Sequence, residues 1–251
     1  MLGAAEASAG NISVFTRQLE EIPSAYKEMS TIDLPTPAHS LSGGWIVITG
    51  TGKRLRDIAA NPEKTVSVIQ ILADGLHGKV FSASELHPTS EFNSHLGIHE
   101  DQVSRRGISY MAVIHAQSKH LVYLSQLPEY SDTYTLNRRL LRWEPETVIT
   151  FPEGFGMIPF AVPGTEALRM ATVEGLRDHK LVIWQKHGQV ARSDESVSRA
   201  ADYIEYSETA AAYEYLNLSL GSPVEGLSVR QILDICKTFN LDQQFFSENE
   251  A

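Results

Sequence analysis

Ile108-Ser109-Tyr110-Met111-Ala112-Val113-Ile114-His115-Ala116-Gln117 lies near the middle of the chain, and its reading decides the fold. From Ile108 to His115 the residues are apolar and β-branched, which predicts a strand. Helical patterns flank it. Glu91 to Arg105 mixes polar and apolar residues as a helix does, with Thr89 or Ser90 placed to cap its first amides, and Ser118 is placed to cap another helix running to about Leu127.

Outward from this unit, Trp45 to Thr49 reads as a strand entering the turn Gly50-Thr51-Gly52-Lys53. Arg54 to Ala60 reads as a short helix stopped by Asn61-Pro62, because proline disfavours helical geometry in the residue before it. Thr65 to Leu72 reads as a further strand. Strands at Thr147 to Thr150 and Leu181 to Trp184 are expected to flank a helix beginning near Gly164-Thr165. Asp194 to Leu220, with alanines and apolar residues at helical spacing, is the clearest helix, and Ser228 to Phe239 is the last. Pro23 to Ser42, with prolines at 23, 35 and 37, reads as a loop. Strands interspersed with helices predict a layered α/β domain whose helices cover both faces of a central sheet, with strand direction left open.

With 251 residues, 42% of them hydrophobic, one sizeable core and a single domain over 1–251 are expected. The formal charge of −10 argues against a nucleic-acid partner, which calls for a basic face. The pairs Arg105-Arg106 and Arg138-Arg139 are read as solvated helix faces or subunit contacts. A single cysteine, Cys236, has no internal disulfide partner and is read as core filling. No apolar run reaches membrane-spanning length and no basic-then-apolar signal opens the chain, so no membrane partner and a cytoplasmic location are expected. Asn11-Ile-Ser13 and Asn217-Leu-Ser219 match the glycosylation pattern and are read as chance.

Alternation along a strand puts residues i and i+2 on one face, so His115 and Gln117 can point at one metal ion. Glutamine offers a neutral carbonyl oxygen there, ordinarily a poorer zinc ligand than imidazole. His187 follows the strand Leu181–Trp184 and precedes Gly188, where the backbone can approach closely. Each histidine alone is an ordinary rim or turn residue, and Glu91 alone is an ordinary first-turn carboxylate. Ser8-Ala9-Gly10-Asn11, Thr51-Gly52 and Thr89-Ser90 each offer hydroxyls, amides and small residues of the kind that cradle phosphate. The spacing around Gly50-Thr51-Gly52-Lys53 is not that of a Walker A loop.

Taken in order, Ala9-Gly10-Asn11-Ile12-Ser13, Ile48-Thr49-Gly50-Thr51-Gly52-Lys53, Pro88-Thr89-Ser90-Glu91, His115-x-Gln117, Phe151-Pro152-x-Gly154, Val162-Pro163-Gly164-Thr165 and Trp184-x-x-His187-Gly188 resemble the class II aldolase/adducin family over nearly the whole chain. The resemblance implies a single-domain α/β/α sandwich around a mixed or mostly antiparallel sheet. It also implies retro-aldol cleavage of a ketose 1-phosphate, L-rhamnulose 1-phosphate being the expected substrate, to dihydroxyacetone phosphate and L-lactaldehyde. Divalent metal, zinc by expectation, would be held at His115, Gln117 and His187, with Glu91 moving protons. By the same resemblance Glu146 is a second acid/base carboxylate reaching a neighbouring subunit. Phosphate would sit against Asn11, Thr51, Gly52, Thr89 and Ser90, with Ser8 and Gly10 beside them. A homotetramer with sites at subunit interfaces is implied. Two departures stand out: Gln117 replaces a histidine, and the chain begins seven residues before Ser8, where the family has a helix or more. A fuculose-type aldolase, a ribulose-phosphate epimerase and a non-catalytic adducin-like binding module share the scaffold and are the alternatives.

Overall fold

The computed structural model describes residues 7–221 and 224–250. In chain order the elements are strands β1 (Asn11–Thr16), β2 (Lys27–Asp33), β3 (Trp45–Thr49), β4 (Val66–Ile71) and β5 (His77–Ser82), helix α1 (Phe92–Arg106), strand β6 (Tyr110–Ala116), helices α2 (Lys119–Leu124), α3 (Thr133–Leu140) and α4 (Pro145–Thr150), strand β7 (Gly156–Ile158), helix α5 (Glu166–Asp178), strands β8 (Leu181–Trp184) and β9 (Gly188–Ser193), and helices α6 (Val197–Ser219) and α7 (Val229–Phe239). The strands form one nine-stranded sheet in the order β2-β5-β4-β3-β1-β6-β9-β8-β7. Every neighbouring pair is antiparallel except β7 and β8.

Alternation along β6 sorts the core. Ala112, Ile114 and Ala116 join apolar residues of α2, α3, α4, α6 and α7 on one face of the sheet. Met111 and Val113 face the other way, toward Ile98 of α1 and Leu168 and Leu176 of α5. Farther along that second face, α1 lays Phe92, Leu96 and Val103 over Phe15 of β1 and Ile46 and Ile48 of β3. Helices therefore cover both faces of β6, as the α/β/α reading requires. Cys236 fills core as expected.

Several boundaries differ from the sequence reading, each for a local reason. Thr147–Thr150 is the end of α4, not a strand: Pro145 occupies its first turn, where a missing N–H costs nothing. Arg54–Ala60 forms only a 3-10 turn at Leu55–Asp57, followed by another at Pro62–Lys64. Within the expected loop Pro23–Ser42 lies β2, an almost wholly exposed edge strand that has no apolar alternation and is held by pairing to β5. Neither Thr89 nor Ser90 caps α1; the N-cap position is Glu91 itself, with no side-chain cap bond. Ser118 likewise caps nothing, its hydroxyl accepting instead from Gln189 Nε2 at 2.5 Å. The caps Thr165, Ser196 and Ser228 do close α5, α6 and α7. Among the described residues no helix is long and apolar enough to cross a membrane. Ahead of Ser8, where the chain departs from the family by its short lead, residues 1–6 lie outside the described residues.

Candidate active site

Strand register builds the first contact. β1 and β6 pair so that Asn11 stands directly opposite His115, on the face shared with α1. The turn after β8 brings His187 to the same end of the sheet: its N–H donates to the Trp184 carbonyl at 3.0 Å, and Lys186 before it adopts a left-handed φ of 63°. Gly188 then passes against β6 so closely that an added Cβ would lie 2.5 Å from the Ala116 carbonyl and 2.8 Å from the His115 ring. Only glycine fits. Glu91 arrives at the start of α1, after Thr89 N–H ties this segment to the Thr49 carbonyl of β3 at 3.0 Å.

The three side chains converge. Glu91 Oε2 lies 3.7 Å from His115 Nε2, and Glu91 Oε1 lies 3.6 Å from His187 Nε2. Among the described residues, Glu91, His115 and His187 form the group of ligand-type side chains with donor atoms mutually within 4.8 Å that could hold a metal ion. His115 Nδ1 is 3.0 Å from the Gln189 carbonyl, which can only accept. The ring proton is therefore on Nδ1, and Nε2 turns a lone pair toward a carboxylate oxygen. Burial pushes both imidazoles below their ordinary pKa; Glu91 pulls the other way for each, and His115 adds to the lowering at His187. Neutral imidazole is the metal-binding form. The rings pack with centroids 5.0 Å apart, and Trp184 lies 4.6 Å from His115 and 5.0 Å from His187.

A lone pair aimed from His115 Nε2 at a carboxylate oxygen repels it unless a cation lies between them. Zinc bound at about 2.0–2.1 Å to tetrahedral nitrogen and oxygen donors sets those donors about 3.4 Å apart. The observed 3.6 and 3.7 Å come close to that spacing, and the buried His187 Nδ1 has no partner. The residues present fit a divalent ion.

Beside this group opens a cleft of about 230 Å³. Ser8, Ala9, Gly10 and Asn11 form one wall, Gly50, Thr51, Gly52 and Lys53 the second, and Thr89 and Ser90 the third, with Glu91, His115 and Gln117 at the end. All seven residues expected around phosphate therefore line one space. Gly10 and Gly52 have φ of 82° and 71°, and a Cβ on Gly10 would lie 2.8 Å from the His115 carbonyl. The Thr51 hydroxyl donates to the Pro88 carbonyl at 2.6 Å, clasping the second wall to the third.

Gln117, Asn11, Glu146 and His120 lie as follows. The carboxylate completing the metal group is Glu91, while Gln117, one residue past the end of β6, lines the adjoining cleft. Asn11 directs its Nδ2 to Glu91 Oε2 at 2.8 Å. Glu146 is exposed in the first turn of α4, outside the cleft. His120 lies on α2 and bonds Glu208 at 2.8 Å. Sequence reasoning passed over Lys53 as a site residue, although it is the one cation among the described residues lining the cleft. Its position after a Gly-x-Gly turn was the available signal.

Comparison with known proteins agrees with this geometry. Residues 1–215 match the family described as Class II Aldolase and Adducin N-terminal domain. The rhamnulose-1-phosphate aldolase of Yersinia pseudotuberculosis serotype O:1b (strain IP 31758) is 28% identical over 247 residues, covering 94% of this chain and 87% of the relative. A crystal structure of a sugar-phosphate aldolase from Thermotoga maritima superposes with a TM-score of 0.74 at 32% identity, covering 90% of this chain and 92% of its own. The L-fuculose-1-phosphate aldolase of Thermus thermophilus, at 19% identity, shares the fold with a TM-score of 0.52, covering 89% of this chain and 90% of its own. With a family match over most of its length and a two-histidine, one-carboxylate group at the sheet end, this chain belongs to the class II aldolase and adducin N-terminal domain family.

Proposed function

We propose that this protein is a divalent-metal aldolase that cleaves L-rhamnulose 1-phosphate to dihydroxyacetone phosphate and L-lactaldehyde. One observation carries the reading: the Glu91 carboxylate lies between His115 Nε2 and His187 Nε2 at the end of a cleft of amides and hydroxyls. The class II sugar-phosphate aldolase type follows from the family match, and the choice of rhamnulose is supported by the Yersinia relative. Zinc suits two imidazoles and a carboxylate.

Phosphate sits, in this reading, against Asn11, Thr51, Gly52, Thr89 and Ser90, with Ser8 and Gly10 at the edge and Lys53 as counter-charge. That grip sets the C1 end of the ketose and aims its oxygens at the metal group. Cleavage breaks the C3–C4 bond: the C4 hydroxyl loses a proton, the electron pair moves toward the C2 oxygen as an enediolate, the aldehyde leaves, and C3 gains a proton. A divalent ion held by His115, His187 and Glu91 supplies Lewis-acid stabilisation for the charge developing on the ketose oxygens. Glu91 takes up the proton of the ketose C3 hydroxyl and delivers it to C3 after cleavage, and the proton taken from the C4 hydroxyl restores the C3 hydroxyl. Glu146, acting from a second copy of the chain, takes the C4 hydroxyl proton. This role requires an oligomer, for which we propose a cytoplasmic homotetramer.

Gln117 favours a second reading, a binding module without metal. Metal analysis paired with retro-aldol assays on L-rhamnulose 1-phosphate and L-fuculose 1-phosphate separates the two. The expected result is one divalent ion per chain and turnover preferring the rhamnulose ester, with tighter metal binding in Gln117→His. Metal-free, inactive protein that gains both properties only on Gln117→His overturns the aldolase reading.

A further inference from the structure

Behind Glu91 lies a buried chain of polar side chains, of which the proposed chemistry uses only Asn11. Glu91, His95 and His99 are spaced four apart at the start of and along α1, and they lie over Asn11 and Ser13, spaced two apart on β1. Four helical residues rise about 6 Å and two strand residues about 6.8 Å, so the two ladders stay in step. Asn11 Nδ2 bonds Glu91 Oε2 at 2.8 Å, and Asn11 Oδ1 bonds His95 Nε2. The Ser13 hydroxyl bonds His95 Nδ1 at 2.6 Å and His99 Nε2 at 2.7 Å. Ser13, His95 and His99 are at most 1% exposed.

The bonds have one direction. A carboxylate accepts, so Asn11 presents its N–H to Glu91 and its carbonyl to His95, which must then carry its proton on Nε2. His95 Nδ1 accepts from the Ser13 hydroxyl, and Ser13 accepts from His99 Nε2–H. The line stops at His99 Nδ1, which is buried with no partner. A conduit for protons needs an outlet, and this line has none there. What it supplies is polarity: the oxygen and nitrogen of a carboxamide are so alike in size that packing cannot choose between the two orientations of Asn11, whereas a donor at His95 can.

We propose that His95 is a positioning residue, which fixes the Asn11 carboxamide so that its N–H, not its oxygen, meets Glu91. Without that donor the carboxamide is free to turn, and an oxygen set against the carboxylate pushes Glu91 off the metal group. The geometric part stands by itself; its effect on turnover rests on the function proposed above.

Two measurements test it. In metal-free, 15N-labelled full-length protein, histidine NMR should show His95 and His99 protonated on Nε2 and bare on Nδ1; a proton on His95 Nδ1 reverses the line and overturns the proposal. His95→Phe should lower Co2+ affinity and kcat by about 10–100-fold, the usual loss when a partner of a metal ligand is removed, with KM little changed. His95→Gln, whose amide can replace the lost ring N–H, should recover most of that loss at a similar melting temperature. Equal losses in the two folded variants, or a loss confined to KM, overturn the positioning role. Should His95→Phe not fold, Ser13→Ala is expected to give a several-fold loss of Co2+ affinity, and unchanged affinity counts against the proposal. If the wild-type protein cleaves no sugar phosphate, the proposed function fails, while tautomer and Co2+ affinity still decide the role of His95. If it binds no Co2+ either, the tautomer decides alone.

Discussion

Glu91 and Glu214 are both buried carboxylates, and the difference between their surroundings separates an under-matched carboxylate from one held by its partners. Glu214, on α6, is fully buried and accepts from Tyr130 Oη at 2.5 Å, Trp143 Nε1 at 2.9 Å and Arg142 Nη2 at 3.2 Å, with the Arg139 guanidinium 4.0 Å away. Donors and cations match its charge. Burial, then the bond to Glu214, pushes the Tyr130 phenol well above its ordinary pKa, so it remains a donor. Glu91 accepts one side-chain bond, from Asn11, and otherwise faces two imidazoles whose charged form burial disfavours. An under-matched buried carboxylate is costly in an empty site and useful in an occupied one.

The comparison can be broken by exchanging the expected phenotypes. Glu91→Gln should reduce turnover by about 10²–10⁴-fold, the range for loss of a general acid or base, and abolish tight Co2+ binding while the thermal melt hardly changes. Glu214→Ala should act oppositely, costing about 3–5 kcal/mol by leaving Tyr130, Trp143 and the part-buried Arg142 without their acceptor, and leaving metal affinity intact in the folded fraction, as read from urea midpoints and Co2+ titration. If the two variants lose stability alike, the distinction between the two carboxylates collapses. The smallest effect sharpens the picture of the line behind Glu91. Burial holds His99 at about 3 against an ordinary 6.5. Between those values the unfolded chain binds a proton that the folded chain refuses, so stability is full above pH 6.5 and falls as pH drops toward 3, by at most about 1.4 kcal/mol per pH unit. Urea denaturation of His99→Leu across that window should show a shallower slope by about one proton.

Much of the site was legible because it is built from short segments whose chemistry is local. Gly10-Asn11, Thr51-Gly52 and Thr89-Ser90 carry the turn and amide character that lines the cleft. The elements that bring them together were harder to read. β1, Asn-Ile-Ser-Val-Phe-Thr, alternates cleanly, yet it escaped notice because its inward polar residues Asn11 and Ser13 resemble a turn rather than a core face. β9 hides fully buried Gln189, whose polarity is matched by Ser118, Ser207 and the Ile204 carbonyl from other elements. β2 offers only Ile32 to the core and has no apolar alternation, and β5 supplies its hydrogen bonds. Local pattern cannot report partners that lie far along the chain.

By itself the sequence determined an α/β chain with a strand through His115 and three loops of glycine and hydroxyl character, because apolar periodicity and turn chemistry act over a few residues, and its motifs carried the resemblance to the family to which it belongs. The tertiary structure alone decided how Glu91 meets the two histidines. Glu91 lies 24 residues before His115 and 96 before His187, and only the β1–β6–β9 register, with α1 laid across it, brings the three together. It also gave Asn11 its second partner in His95, since a helix rising about 6 Å per four residues stays in step with a strand rising about 6.8 Å per two only where the two are packed face to face.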